Sequence, residues 1–401
     1  MNIYIIGAGW VGLVTAGVFA EHHWVTVVDV NTDCIALLKS GKIPFFEPDL
    51  QELLQKGVQR GNILFLDSLD SSLGIPDVIF CAVGTPQAAD GRADLSAVIL
   101  AAQECEQKFP GCIFVVKSTV PPGTCAMLGE RFPNLSFASN PEFLAEGTAV
   151  RDALFPSRIV FGAHDQKTLD VLTKVYASWQ QEGVAIITTD CVTSELAKYA
   201  ANAFLATKIS FVNEISEFAE EVGADMRIIS KSMGYDSRIG SKFLVHGLGY
   251  GGSCFPKDTQ ALLATARDRH ISLPLVHEAE ARNTRQRARF LEKIVRAHRS
   301  AGGRGHVAVL GVAYKAGTDD TRSAPALEII AGLLAQDIPV RWFDPMVQEI
   351  GLPVGRSIGL DEACASALVV FVATEWPEIL AYAEKLPQES VLWGRHPPAE
   401  G

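Results

Sequence analysis

The segment Gly249-Tyr250-Gly251-Gly252-Ser253-Cys254-Phe255-Pro256-Lys257-Asp258 sets a cysteine in a glycine-dense loop with a lysine and a carboxylate just behind it. Glycines let a substrate approach the backbone, a nearby cation favours an anionic sulfur, and a carboxylate can orient water. Such spacing suits a nucleophile with an acid–base partner. A cysteine beside glycines is, taken alone, more often structural, and these residues leave both readings open. Lys198 and Asn202 stand four apart in an Ala/Leu/Glu-rich stretch, so one helix face presents both. A solvated lysine and an ordinary helix asparagine fit that pattern too.

A second constellation lies near the N-terminus. Gly7-Ala8-Gly9-Trp10-Val11-Gly12 follows a predicted strand and opens a helix-like stretch from Val11 to Ala20, and Asp29 closes the next apolar strand. The first glycine permits a tight turn, the second lets backbone approach a pyrophosphate, and the third allows close helix–strand packing. Phosphates then meet the helix N-terminus, where free N–H groups and the dipole favour anions. Asp29 would accept bonds from the adenosine ribose and repel a 2'-phosphate, which selects NAD over NADP. A solvated turn aspartate is the plainer alternative.

These residues need elements to hold them. Apolar runs at Ile3 to Ile6, Val25 to Val30, Asp77 to Val83, Ile113 to Lys117, Leu135 to Ala138 and Arg158 to Gly162 alternate with helical patterns, which predicts a parallel α/β sheet. From Thr193 to about Arg299 strand signals vanish, and Ser194 to Val222 carries apolar residues at helical spacing. After the glycine-rich break at residues 301–305, His306 to Gly311, Val340 to Asp344, Ala367 to Val372 and Val391 to Trp393 read again as strands. The expected fold is therefore α/β: a Rossmann-like NAD-binding domain over 1–192, a helical domain over 193–300, and a smaller Rossmann-like domain over 301–401. The two α/β ends read as distant versions of one architecture.

Composition bounds the function. A chain of 401 residues that is 48% hydrophobic can build two or three ordinary cores, and a formal charge of -11 argues against wholesale binding of nucleic acid or anionic membrane. No signal-peptide pattern follows Met1 and no apolar run reaches spanning length. The eight cysteines lack paired metal-type spacings and read as reduced thiols, so no metal is expected and a cytoplasmic enzyme is.

GYGGSCFPKD resembles the signature of the UDP-glucose/GDP-mannose dehydrogenase family, and further matches run in family order along nearly the whole chain. They are Val83 to Pro86 with Asp94, Lys117 to Thr124, Asn140 to Leu144 through Glu146-Gly147, and Glu195 to Asn202 with Asn213-Glu214. Asp236 to Gly240 follows, and then Gly311 to Lys315 leading to Asp320-Thr321-Arg322. The resemblance implies NAD-dependent, four-electron oxidation of a sugar-nucleotide alcohol to its carboxylate, in nucleotide-sugar metabolism and polysaccharide biosynthesis. Each NAD takes a hydride worth two electrons, so two are reduced per turnover. Between the two oxidations the aldehyde is held on Cys254 as a thiohemiacetal, which becomes a thioester for water to cleave. Phe204 to Phe211 and Asp236 to Leu244 look more like members acting on UDP-glucose, giving UDP-glucuronate, than like GDP-mannose or UDP-N-acetylhexosamine members.

By the same resemblance Lys198 and Asn202 stabilise the oxyanion, Asp258 and Thr119 position water or assist proton transfer, and Glu142 is the base in thioester hydrolysis. Thr85, Thr119, Glu146, Lys257 and Arg322 are implied near NAD. Glu142, Phe143, Leu144, Ala145, Glu146, Lys198, Phe243, Leu244, Val245, His246, Gly247, Gly251 and Lys315 are implied near the sugar nucleotide. Ala145 stands where many bacterial members carry a basic residue. Arg238 resembles a residue that reaches the neighbouring subunit's substrate, and the helix from Thr193 resembles the family's dimer core, which implies a homodimer. At the C-terminus Leu392-Trp393-Gly394-Arg395 departs from the usual aspartate-glycine-arginine, so Trp393 supplies no carboxylate there, while Arg395 is left on the uridine-ribose side.

Two rivals differ in kind. A two-electron β-hydroxyacid dehydrogenase joins similar domains but needs no Cys254, and an NAD-binding sensor would need no intact Cys254, Lys198, Asn202 and Asp258.

Overall fold

In a computed structural model, residues 1–394 are described, so Arg395 lies outside them. The chain divides into two compact units, Met1–Ala201 with Gln260–Arg269, and Asn202–Thr259 with the chain from His270 onward.

The first unit is built on an eight-stranded sheet in the order β3-β2-β1-β4-β5-β6-β7-β8. Its strands are β1 (Asn2–Ile6), β2 (Trp24–Val28), β3 (Ile63–Leu66), β4 (Val78–Cys81), β5 (Ile113–Val116), β6 (Ser136–Ser139), β7 (Arg158–Ala163) and β8 (Ala185–Thr189). The central strands read as unbroken apolar runs because both faces are covered. Ile3 and Ile5 enter one core with Leu13, Val14 and Leu54 from helices Trp10–Phe19 and Leu50–Gln59. Tyr4, between them, enters the opposite core with Val98, Ala102 and Leu128 from helices Ser96–Lys108 and Thr124–Arg131.

The expected sheet is corrected in two respects. β6 and β7 pair antiparallel, whereas the other neighbours are parallel. A doubly buried strand reads alike in either direction, so β7 carries no sign of its sense. β3 and β8 were not expected at all. They are the sheet's edges: β3 is an apolar run of only four residues, too short to distinguish a strand by periodicity, and β8 ends in two threonines with no residue fully buried.

The second unit carries a four-stranded, all-parallel sheet in the order β10-β9-β11-β12, formed by β9 (Val307–Leu310), β10 (Val340–Phe343), β11 (Val369–Val372) and β12 (Val391–Trp393). Phe290, Ile294 and Val295 of the 27-residue helix Pro274–Ser300 pack with Val307, Val309, Ile330, Trp342 and Phe371 in one core beside this sheet. The 31-residue helix Cys191–Glu221 and the helix Phe255–Asp268 are each continuous and contribute residues to both units. Among the described residues no helix is long and apolar enough to cross a membrane.

Candidate active site

In the first unit the chain turns out of β1 at Gly7, whose φ of 105° is a left-handed value that favours glycine. A Cβ on Gly12 would stand 1.9 Å from the Gly7 carbonyl oxygen, so the third glycine is a packing requirement. A Cβ on Gly9 would meet nothing within 4 Å, which leaves the middle of the turn open on its outer side. The helix Trp10–Phe19 starts there with neither a side-chain cap nor an acidic residue in its first turn. Asp29, half-exposed, follows β2 and accepts from Ala8 N–H through Oδ2 at 2.7 Å and from Asn31 N–H through Oδ1 at 2.8 Å.

The same unit buries a charged cluster. Lys198 Nζ lies 2.9 Å from Glu142 Oε1, with both side chains at most 6% exposed. Burial alone would push the Glu142 carboxyl up, but Lys198, the Leu144 N–H and Lys117 together hold it below its ordinary value. Lys117 donates to Asn140 Oδ1 at 3.1 Å, and Tyr176 donates to the same oxygen. Burial lowers the Lys117 pKa to about 8 against the opposing pull of Glu142. Thr85 donates through Oγ1 to the Thr119 carbonyl at 2.9 Å, which joins two of the expected cofactor residues. Glu195, one turn before Lys198, accepts from Gly123 N–H at 2.6 Å and Cys125 N–H at 2.8 Å and so fixes the loop that follows Thr119.

In the second unit Cys254 directly precedes the helix Phe255–Asp268, and its carbonyl accepts the first helical bond, from Asp258 N–H at 2.9 Å. Its half-buried Sγ sits 3.5 Å from Ser253 Oγ. One turn on, the buried Asp258 carboxylate is held from both sides, by Asn202 Nδ2 at 2.6 Å and by Lys257 Nζ at 2.6 Å. The loop before Cys254 is closely packed at its glycines: a Cβ on Gly251 would meet the Ser323 carbonyl at 2.2 Å. Gly252 donates to the Arg322 carbonyl at 3.0 Å, which ties the loop to the segment of Arg322, whose guanidinium pairs with Asp320 at 2.6 Å.

The structure thus gathers Cys254, Lys257, Asp258, Asn202 and Gly251 in one unit, and Glu142, Lys198, Thr119, Thr85 and the glycine turn in the other. Phe243 to Gly247 lie in the second unit, Phe243 at a φ of 65° and Gly247 gripped by Asn213 Oδ1 and Gln286 Nε2. Lys315 is in the loop after β9. Arg238 stands apart on the surface, its side chain 87% exposed and paired with Asp236.

Models of the UDP-glucose/GDP-mannose dehydrogenase family match in series: the NAD binding domain over residues 1–180, the central domain over 192–285 and the UDP binding domain over 308–395. The chain belongs to this family. It is 42% identical to a UDP-glucose 6-dehydrogenase of Rhizobium meliloti (strain 1021), with 95% of this chain and 91% of the relative covered. It is 39% identical to one of Bacillus subtilis (strain 168), covering 99% and 93%. A solved UDP-glucose dehydrogenase from the archaeon Pyrobaculum islandicum is 36% identical, with a TM-score of 0.89 over 99% of this chain and 94% of that one. The chain is accordingly an NAD-dependent dehydrogenase of the UDP-glucose/GDP-mannose dehydrogenase family.

The glycine turn fits the family's cofactor: its outer side is open at Gly9, and the capless helix end offers N–H groups to a pyrophosphate. Several residues that hold these loops escaped the sequence reading. Asn283 clamps the Tyr250 backbone, accepting from its N–H at 2.8 Å and donating to its carbonyl at 3.0 Å, and a Cβ on Gly249 would collide with this asparagine. Arg287 donates to the same carbonyl. Both belong to an arginine-rich helix whose pattern resembles a solvated face. Asn213 was noted within a motif but given no role; its grip on Gly247 supplies one.

Proposed function

We propose that the chain oxidises the primary alcohol of UDP-glucose to the carboxylate of UDP-glucuronate through a covalent intermediate on Cys254. The observation that carries this reading is Cys254 at the head of a helix, where free N–H groups favour an anion, with Asp258 braced by Asn202 and Lys257 one turn behind. Bound NAD would supply a two-electron hydride acceptor for each of the two oxidations, so two would be reduced per turnover.

The chain's own residues do the rest. As the first hydride leaves, Asp258 and Thr119 assist transfer of the alcohol's hydroxyl proton to water; the Cys254 thiolate then adds to the aldehyde carbon, and Lys198 and Asn202 stabilise the oxygen that gathers charge. After the second oxidation water attacks the thioester carbonyl, Glu142 takes the proton, the C–S bond breaks and the thiolate leaves with the carboxylate formed. Asp258 and Thr119 orient that water. A carboxylate held ionised by Lys198 suits a base, provided the lysine yields to the substrate's oxygen. Gly7, Gly9, Trp10, Val11, Gly12, Asp29, Thr85, Glu146, Lys257 and Arg322 bind the cofactor in this reading, and Phe143 to Glu146, Phe243 to Gly247, Gly251 and Lys315 bind the sugar nucleotide. The three-part division at 1–192, 193–300 and 301–401 belongs to the same proposal.

We also propose a homodimer in which Arg238 reaches the partner's substrate. Phe204, Phe211 and Phe218 recur every seven residues along the helix Cys191–Glu221 and are 65%, 49% and 65% exposed, an apolar stripe that supports a partner helix there. Two NADH per UDP-glucuronate, counted by absorbance and chromatography, is the expected stoichiometry; one NADH with an aldehyde or ketone product refutes the covalent route. Sedimentation at working concentration should give a dimer or a multiple, and a fully active monomer rules out the shared arginine.

A further inference from the structure

Glu47 lies in the loop Pro44-Phe45-Phe46-Glu47-Pro48 that leads into the helix Leu50–Gln59, where a carboxylate between aromatic and proline residues would be read as a solvated turn. It is instead 3% exposed. Its Oε2 accepts from the Trp10 indole Nε1 at 2.8 Å and from Gly147 N–H at 2.8 Å, and its Oε1 from Ala149 N–H at 2.8 Å. Trp10 is the first residue of the helix that rises from the glycine turn, and Gly147 directly follows the Glu142–Glu146 stretch. One buried carboxylate therefore joins the nucleotide turn to the segment that carries the Glu142 base. Asp152 holds the same segment independently, accepting from Ala145 N–H at 3.1 Å and Thr148 Oγ1 at 2.9 Å, so the Glu47 bonds are not needed merely to form the turn.

We infer that Glu47 is a positioning residue that sets the Glu142–Glu146 segment relative to the cofactor turn through Trp10. The inference rests on the reading above that this segment serves the substrate. Its physical ground is that charge-assisted bonds to a buried carboxylate are short, strong and directional, and that small misplacements of reacting groups are costly. No other carboxylate chemistry is required of Glu47, since its donors already claim both oxygens.

The test is a cycle of Glu47→Gln, Trp10→Phe and the double variant, read by titration of NAD and by kcat and KM for both substrates. A glutamine offers one acceptor oxygen and turns N–H donors toward existing donors, so at least one of the three bonds becomes a clash. Glu47→Gln should weaken NAD binding about tenfold and lower kcat by roughly 10- to 100-fold. Trp10→Phe removes one donor only and should weaken NAD binding about threefold, with a smaller loss of kcat. Because Trp10 is coupled to the segment only through Glu47, the double variant should match Glu47→Gln within about twofold. Additive losses, or a Glu47→Gln protein that melts earlier but binds NAD and turns over as wild type does, would overturn the inference. Should Glu47→Gln fail to fold, Glu47→Asp takes its place: it keeps the charge but is too short for all three donors, and should still be non-additive with Trp10→Phe. Wild-type protein inactive on UDP-glucose would sink the functional reading instead, and the NAD titrations would still decide the coupling.

Discussion

The two sheets carry the same turn and use it oppositely. In the first unit Gly7, with φ at 105°, donates to the Val28 carbonyl at 2.8 Å, and Asp29, the next residue after β2, accepts from Ala8 N–H. In the second Gly311, with φ at 84°, donates to the Phe343 carbonyl at 2.7 Å, and Asp344, the next residue after β10, accepts from Val312 N–H at 2.7 Å. The aspartates occupy equivalent places. Yet Asp29 is half-exposed, whereas Asp344 is 1% exposed and also takes Ala313, Met346 and Val347 N–H and the Trp376 indole. A carboxylate has about four lone-pair sites, and Asp344 has committed them internally. The helix also begins at once after the first turn, at Trp10, but only at Pro325 after the second. The first turn keeps its carboxylate partly open, as the proposed contact with a ribose requires; the second is a closed structural knot.

If the first turn handles the cofactor and neither turn performs the chemistry, the largest effect comes from elsewhere. Cys254→Ala should cut UDP-glucuronate formation by roughly 10^4-fold or more while NAD still binds. Product assay by mass spectrometry decides it, and near wild-type turnover breaks the covalent mechanism. Cys254→Ser, poorly ionised near neutrality, should stall as an adduct visible in the intact mass.

Asp344→Ala comes next. It strips the acceptor from buried N–H groups and should cost roughly 3 kcal/mol or more, read as a lower denaturant midpoint, with no change in coenzyme preference. A shifted NAD/NADP ratio in that variant would show that the second aspartate is not merely structural. Asp29→Ser should do the converse: the preference for NAD over NADP falls by about 10- to 100-fold, while stability drops by only about 1 kcal/mol. Unchanged discrimination would end the contrast between the two turns.

The smallest expected effect concerns Lys117, a charge buried just past β5. Its folded pKa of about 8 lies below the unfolded value of about 10.4, so the unfolded chain binds more protons between those pH values and stability rises with pH across that window. Below about pH 8 the cost of burying the ammonium is fully present. Lys117→Met should abolish the rise, measured as the change in stability from pH 7 to pH 9.5, and leave Asn140 Oδ1 with its bond from Tyr176. A rise that persists in the variant places its origin in another group.

Legibility follows the range of the interactions. The glycine turn, the doubly buried strands and the long helix are written in near neighbours: positive φ, unbroken apolar runs and a helical period recur within a few residues. Cys254, Lys257 and Asp258 share one loop and the helix behind it, so their association was readable too. Glu47 was not, because its donors stand 37, 100 and 102 residues away. Asn283 and Gln286 clamp loops 33 and 39 residues distant and show no local sign of it. The edge strands and the direction of β7 were hidden for a related reason, since exposure and neighbouring partners are properties of the sheet.

By itself, then, the order of residues determined where the backbone must turn, which strands are buried on both faces, and which side chains have the right chemistry for a hydride acceptor's cradle and a sulfur nucleophile. Only the tertiary structure decided which of two like aspartates keeps lone pairs for a ligand and which has none to give. The reason is that a carboxylate's role depends on the donors that surround it. For Asp344 the indole donor is Trp376, 32 residues along the chain, and no local pattern announces its arrival.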